Sequence, residues 1–182
     1  MRPREIAAGR AVRATGRIDG RNVAATSRAD PDAFEAAVQP HYGGLVRRLT
    51  VVLGDENDAQ DIAQEAYLNA FRAWDRFDGR DVRAWLYTIA LRLAFNQLRA
   101  RRRWQRAIQR IEPKRWSDPS DPDLWAALQR LDTRVRSALL LNVIDGYSQR
   151  EIGAILSVPE GTVASWLSRG RATLREELGR ER

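Results

Sequence analysis

Apolar residues recur at helical spacing through most of this chain, and no useful length alternates with the period of two that a strand needs. Order is expected to begin at Asp30-Pro31, an acidic cap followed by a first-turn proline. DPDAFEAAVQPHYGGLVRRLTVVLGD then supplies Phe34, Val38, Leu45, Val46, Leu49 and Val52. Pro40 is expected to break this segment into two helices, and Gly54 to end the second. Residues 55–74, DENDAQDIAQEAYLNAFRAW, carry a further stripe of Ile62, Ala66, Leu68, Ala70 and Phe71. A polar loop, RFDGRDVR at 76–83, leads into AWLYTIALRLAFNQLRARRRW, where Trp85, Leu86, Ile89, Leu93 and Leu98 are expected to face inward. Periodicity lapses over 105–122, which is rich in proline and turns acidic at its end. It resumes at Asp123 through LWAALQRL, DTRVRSALLLNVID closed by Gly146, SQREIGAIL, and the final run VPEGTVASWLSRGRATLREEL. The pattern predicts an all-α protein: two small helical domains, at 30–104 and 123–182, joined by an extended linker at 105–122. Residues 1–29 have no sustained apolar period and read as a flexible basic arm.

Composition narrows the class. Hydrophobic residues make up 43% of the 182, enough for a core, and the formal net charge is +7. That charge favours a polyanionic partner such as nucleic acid, although a basic balance also serves solubility alone. There is no cysteine, which excludes disulfides, a thiolate nucleophile and Cys-based zinc sites. No apolar run approaches the roughly 20 residues of a membrane span, and the arginine-bearing N-terminus lacks the apolar segment of a secretory signal. A cytoplasmic protein with no membrane insertion of its own is the expectation.

SQREIGAILSVPEGTVASWL has the internal logic of a helix-turn-helix. Ile152 and Leu156 lie one turn apart, and Gly153 is small where a second helix must cross closely. Ser157-Val158-Pro159 makes the turn, with Pro159 expected to open the next helix. There, Val163, Leu167, Leu174 and Leu178 share one face, with Trp166 at its border. Thr162, Ser165, Ser168, Arg169 and Ala172 lie opposite, flanked by Arg171 and Arg175. Hydroxyls and arginines take base edges and phosphates in a major groove, but the same spacing also occurs in helical hairpins that only close a core.

Two charge clusters are equally two-sided. Asp55, Glu56, Asp58, Asp61 and Glu65 crowd one helix; the macrodipole accounts for its first turn but not for Asp61 and Glu65. Arg99, Arg101, Arg102 and Arg103 form a basic helix end, either a solvated face or a phosphate grip. Catalytic chemistry is missing: no Walker loop, HExxH or GxSxG motif occurs, and His41 is the single histidine. The acidic run lacks EF-hand spacing. No enzyme activity, cofactor or metal site is expected, and Trp74, Trp85, Trp104, Trp116 and Trp125 read as core or linker anchors.

With these segments in order, the chain resembles a bacterial sigma factor of the extracytoplasmic-function type, the small sigma-70 members that keep only the second and fourth conserved regions. GDENDAQDIAQEAYLNAFRAW and RFDGRDVRAWLYTIALRLAFNQLRARRR resemble the second region; LDTRVRSALLLNVIDGYSQREIGAILSVPEGTVASWLSRGRATLREEL resembles the fourth. The resemblance implies a subunit that binds core RNA polymerase, on the clamp of its largest subunit and the flap of its second-largest. It also implies promoter DNA as ligand and an anti-sigma factor as regulator.

By residue, the resemblance implies polymerase binding by Asp61, Gln64, Glu65 and Asn69. It implies minus-10 contacts by Phe77, Asp78, Gly79 and Arg80, in a loop that captures a flipped base, and by Arg92, Arg99, Arg101, Arg102 and Arg103. Minus-35 contacts would fall to Arg150, Thr162, Ser165, Trp166, Ser168, Arg169 and Arg171. The linker resembles a segment that threads the polymerase active-site cleft. Five positions depart from the usual pattern: Arg92 stands where Asn is usual, Ala164 and Trp166 where basic residues are common, Asp132 near the place of a helix-opening proline, and Ser157 where the turn usually has glycine. A stand-alone helix-turn-helix regulator with an N-terminal dimerisation or sensor module is the alternative.

Overall fold

The computed structural model describes residues 31–107 and 121–179. The basic arm, the Asp30 cap and most of the linker, Trp116 included, lie outside the described residues. Seven α-helices and one short 3-10 turn account for the described structure, with no strand among these residues.

Helix α1 runs unbroken over Pro31–Leu53, so the expected break at Pro40 does not occur. Proline forfeits the bond to the Ala36 carbonyl, but Ala36 and Pro40 both face solvent. The halves on either side are pinned inward by Phe34 and Val38 before the proline and by Leu45, Leu49 and Val52 after it. Gly54, at φ 78, ends the helix and returns its N–H to the Thr50 carbonyl at 2.8 Å.

Asp55 caps α2 (Glu56–Arg72), accepting from the Asp58 N–H at 3.0 Å. Its buried face is Ala59, Ile62, Ala63, Ala66 and Ala70, small residues that let α2 lie close to α1 and α3. Leu68 and Phe71, expected in that stripe, are instead 52% and 48% exposed. At about 100° per residue Leu68 falls nearly opposite Ala70, so only the alanines and Ile62 share the inner face.

A 3-10 turn, Trp74–Arg76, precedes α3 (Val82–Ala107), whose first turn is capped by Asp81 accepting from the Ala84 N–H at 2.9 Å. The inward row of α3 is Leu86, Tyr87, Ala90, Leu91 and Ala94. Trp85, Ile89, Leu93 and Leu98 sit at its half-buried margins.

Beyond the linker come α4 (Pro122–Arg130), α5 (Thr133–Val143), α6 (Gln149–Leu156) and α7 (Glu160–Gly179). Asp121 and Asp132 cap α4 and α5. Every residue of α5 from Val135 to Leu141 is buried, which makes α5 the axis of this half. Helix α7 crosses α5 at Gly170, where an added Cβ would lie 2.6 Å from Leu139 Cδ1 and 2.8 Å from Val135 Cγ1.

The two halves share one apolar core. Leu45, Leu49, Val52, Ala90 and Leu91 of the first half are continuous with Leu131, Val135, Ala138, Ile152 and Ile155 of the second. Arg136 is stitched into this seam with 5% of its surface exposed. Its guanidinium donates to the Val51 and Val52 carbonyls at 3.0 and 2.9 Å, closing the C-terminus of α1. It also donates to the carbonyls of Leu128, Gln129 and Leu131 and to Gln129 Oε1, all within 3.0 Å. Burial pushes its pKa down to about 10.

Candidate nucleic-acid interface

The α6–α7 pair has the geometry of a helix-turn-helix. Helix α6 opens on a capping box, with the Ser148 side chain meeting the Glu151 N–H and the Glu151 carboxylate returning to the Ser148 N–H at 2.8 Å. The Ser148 hydroxyl, which donates to the same carboxylate at 2.7 Å, and then the Ser148 N–H hold the exposed Glu151 carboxyl below its ordinary pKa. Ser157 closes the helix in the left-handed region, φ 55 and ψ 49, the conformation that usually calls for glycine. Val158 donates back to the Gly153 carbonyl at 2.9 Å, and a Cβ on Gly153 would approach the Val158 oxygen to 2.8 Å. Gly153 thus meets the turn backbone itself. Pro159 precedes α7 rather than opening it: its carbonyl accepts from Thr162 and Val163, the work of a cap residue.

Val163, Leu167 and Gly170 bury the inner face of α7. Ser165, Ser168, Arg169, Arg171 and Ala172 are exposed on the outer side, and Arg150 is exposed on α6. Thr162 and Ala164 are half-buried. Trp166 is half-buried as well and packs against the core. Ser165 donates its hydroxyl to the Gly161 carbonyl at 3.0 Å, so its free lone pairs accept. Arg171 is held by the Asn142 Oδ1 at 2.7 Å, whereas Arg169 has only a long contact, 3.4 Å, to the Ser165 carbonyl. Ser168 and Arg169 are therefore the readiest donors on this face.

On α2, Asp61, Gln64 and Glu65 are exposed and lie with Leu68 on the side opposite the buried alanines. Asn69 is half-buried at the border and accepts a long bond from Arg72. An acidic strip with an apolar residue at its end suits a basic, partly apolar partner surface.

The loop between α2 and α3 divides its roles. Phe77 is 8% exposed, stacked on Trp74 at 5.1 Å and against Trp85 at 4.9 Å, with Phe34 completing the nest. Its ring therefore holds the loop down instead of facing solvent. Asp78 and Arg80 project from the tip, paired at 3.5 Å across Gly79, which adopts φ 79. Asp81, the cap of α3, and Arg83, in its first turn, point toward the second half of the chain and bond Tyr147 at 3.2 and 3.0 Å.

Along α3, Arg92, Arg99, Arg102 and Arg103 are exposed, and Arg99 contacts Asn96. Arg101 is tied to Asp58 at 2.9 Å, with Gln97 donating to the same carboxylate at 3.1 Å. This pair makes Asp58 a brace between α2 and α3 and leaves Arg101 less free to grip a phosphate than its neighbours. Trp104 is 56% exposed rather than part of the core. Among the described residues no three His, Cys, Asp or Glu side chains gather as a metal site, and no helix is long and apolar enough to cross a membrane.

Residues that the sequence did not mark include Arg136, Asp145, Tyr147 and Gly170. Only Gly170 carries a local signal, a glycine inside a helical run.

Comparison with known proteins places both halves. Residues 37–105 match the family model described as Sigma-70 region 2, and residues 122–174 match Sigma-70, region 4. The RNA polymerase sigma-H factor of Pseudomonas aeruginosa is 30% identical, with 88% of this chain and 93% of that protein covered. The ECF RNA polymerase sigma factor SigW of Bacillus subtilis is also 30% identical, over 83% and 91%. SigE of Mycolicibacterium smegmatis shares 30% identity, but this chain spans only 62% of that protein. Among solved structures, the sigma factor RpoE of Bartonella quintana, in complex with the anti-sigma factor NepR, is similar with TM-score 0.71 and 26% identity. That match covers 82% of this chain and 98% of the other. CnrH, in complex with the cytosolic domain of CnrY, is similar with TM-score 0.67 and 27% identity over 90% and 100%.

Proposed function

Because this chain belongs to the sigma-70 family, in its extracytoplasmic-function group, we propose that it is a promoter-specificity subunit of RNA polymerase. It binds core enzyme, directs initiation at its promoters, and catalyses no reaction of its own, acting in the cytoplasm beside the polymerase. The observation that carries this reading is the outer face of α7. Ser168 and Arg169 are exposed on a helix whose opposite side is anchored by Val163, Leu167 and Gly170. A helix fixed in that way presents donors to a major groove with little entropy left to lose.

The remaining roles follow the geometry. Asp61, Gln64 and Glu65, with Leu68 among them, face the clamp of the largest polymerase subunit, and Asn69 borders that patch. Asp78, Gly79 and Arg80 form the loop tip that meets an extruded minus-10 base, on a floor made by Phe77. Arg92, Arg99, Arg102 and Arg103 hold phosphates, Arg101 only as far as Asp58 releases it. Arg150, Thr162 and Ser165 join Ser168 and Arg169 at the minus-35 duplex, while Arg171 contacts backbone and Trp166 supports from the core side. The second half also meets the flap of the second-largest subunit. An anti-sigma protein is the expected regulator, since the similar RpoE structure was solved in complex with the anti-sigma factor NepR.

Run-off transcription with core polymerase and a genomic promoter library tests the reading. Promoter-dependent transcripts that require the chain, and that fall at least tenfold with Arg169→Ala, are the expected result. A chain that shifts specific duplexes without polymerase and yields no transcript would instead be a stand-alone regulator.

A further inference from the structure

We propose that the cleft between α3 and the facing ends of α5 and α6 is a binding site for a small phosphorylated ring compound, of the size and chemistry of a nucleoside monophosphate. The cleft holds about 280 Å³, near the lower end of the range for small-molecule sites. It is far too small for duplex DNA, whose major groove alone is about 12 Å wide. Three arginines line it, Arg92 and Arg99 from α3 and Arg134 from α5, and no carboxylate among the described residues does. Nor does an ion pair among the described residues neutralise any of the three. Arg99 contacts the Asn96 side chain, and the Asp132 carboxylate beside Arg134 is used as the α5 cap, accepting the Arg134 N–H at 2.9 Å. Like charges gathered in one cleft repel, and a phosphate that meets them relieves the repulsion with charge-assisted hydrogen bonds.

The rest of the cleft is apolar. Leu91 and Ile155 are buried in its wall, and Phe95 is half-buried between them and the arginines. The Arg134 guanidinium stands 5.5 Å from the centre of the Phe95 ring. Ring and guanidinium together make a platform on which a second ring can stack. Free phosphate would use the arginines and leave this wall wet, whereas a ligand with a phosphate at one end and a ring at the other uses both. Arg134 has no part in the proposed promoter contacts, so the site does not depend on them. One consequence does rest on the proposed function: a compound bound to Arg92 and Arg99 competes with minus-10 phosphates for the same guanidiniums.

Isothermal titration of the full chain with adenosine and guanosine 5′-monophosphate tests the site, with ribose 5-phosphate supplying the same phosphate without the ring. At least one nucleotide should bind one-to-one with a Kd below about 1 mM, about fivefold or more tighter than ribose 5-phosphate. Arg134→Ala should weaken that binding by about tenfold or more. Its side chain is exposed and the α5 cap uses only its backbone N–H, so the fold is kept, as circular dichroism would verify. Phe95→Leu should bring the nucleotide down to the affinity of ribose 5-phosphate. Arg47→Ala, which removes an equal charge from an exposed position on α1, should leave the affinity unchanged. No nucleotide binding tighter than about 1 mM, ribose 5-phosphate bound as tightly as the nucleotides, or equal losses in Arg134→Ala and Arg47→Ala would each overturn the proposal. Binding is read without polymerase or DNA, so failure of the site is separable from failure to support transcription.

Discussion

Replacing Arg136 by methionine keeps most of the side-chain volume and removes every donor from the seam. Two of the carbonyls it leaves, Val52 and Leu131, are reached by fully buried hydrogen bonds. Each orphaned buried acceptor costs about 1–3 kcal/mol. The Val51, Leu128 and Gln129 carbonyls sit in part-buried bonds that solvent can replace at little cost. Against this stands the desolvation of the guanidinium, visible in its pKa of about 10, which methionine does not suffer. The net loss is about 2–5 kcal/mol, or roughly 10 °C in melting temperature for a chain of this size. Urea denaturation followed by circular dichroism measures it. Arg136→Lys should recover little, because one ammonium cannot reach acceptors spread around a planar fork. A methionine variant within 0.5 kcal/mol of the parent would refute the view that Arg136 closes the end of α1.

Other perturbations test single features. Gly170→Ala sets a methyl 2.6 Å from Leu139 Cδ1; overpacking of about 1–3 kcal/mol against a helix gain of about 1 gives a net loss of about 1 kcal/mol, read as a lower urea midpoint. Ser157→Gly relieves the φ of 55 and should stabilise by about 0.5 kcal/mol in the same assay, the released strain being partly offset by the freer unfolded chain. His41, the one histidine, is held below its ordinary pKa of 6.5 by burial first and by Arg83 second, with Asp81 opposing. The fold therefore favours neutral imidazole: stability from this group is complete above pH 6.5 and is lost as pH falls through the lowered folded value. His41→Gln should flatten the slope of stability against pH in that acidic window.

Much of the fold was legible because helix periodicity and caps are local. The residues that bury α7, the turn at Ser157 and the alanine-bearing stripe of α2 all follow from spacing within a turn or two. Pro40 misled because its cost depends on whether the Ala36 carbonyl faces solvent, which the pattern does not say. Leu68 and Phe71 misled because hydrophobicity alone does not separate a core residue from one left half-exposed at the surface. Phe77 looked like a site residue from its loop and proved to be the loop's foundation, since Trp74 and Trp85 close over it only in three dimensions. Arg136 and Asp145 were silent for the plainest reason. Arg48, which pairs with Asp145, and Val51 and Val52, whose carbonyls Arg136 reaches, lie across the linker, up to 97 positions away, and no local window contains both ends of such a bond.

The core that runs unbroken through both halves also changes what the linker is for. Were the backbone cut anywhere between 107 and 121, the pieces would still share the buried seam and the ion pair of Arg48 with Asp145 at 3.2 Å, and should stay together as two noncovalent fragments. What the cut would remove is effective concentration: halves that separate would then have to find each other by diffusion. The strength of the grip between the halves is written in the helices on either side of that cut, in the seam they share.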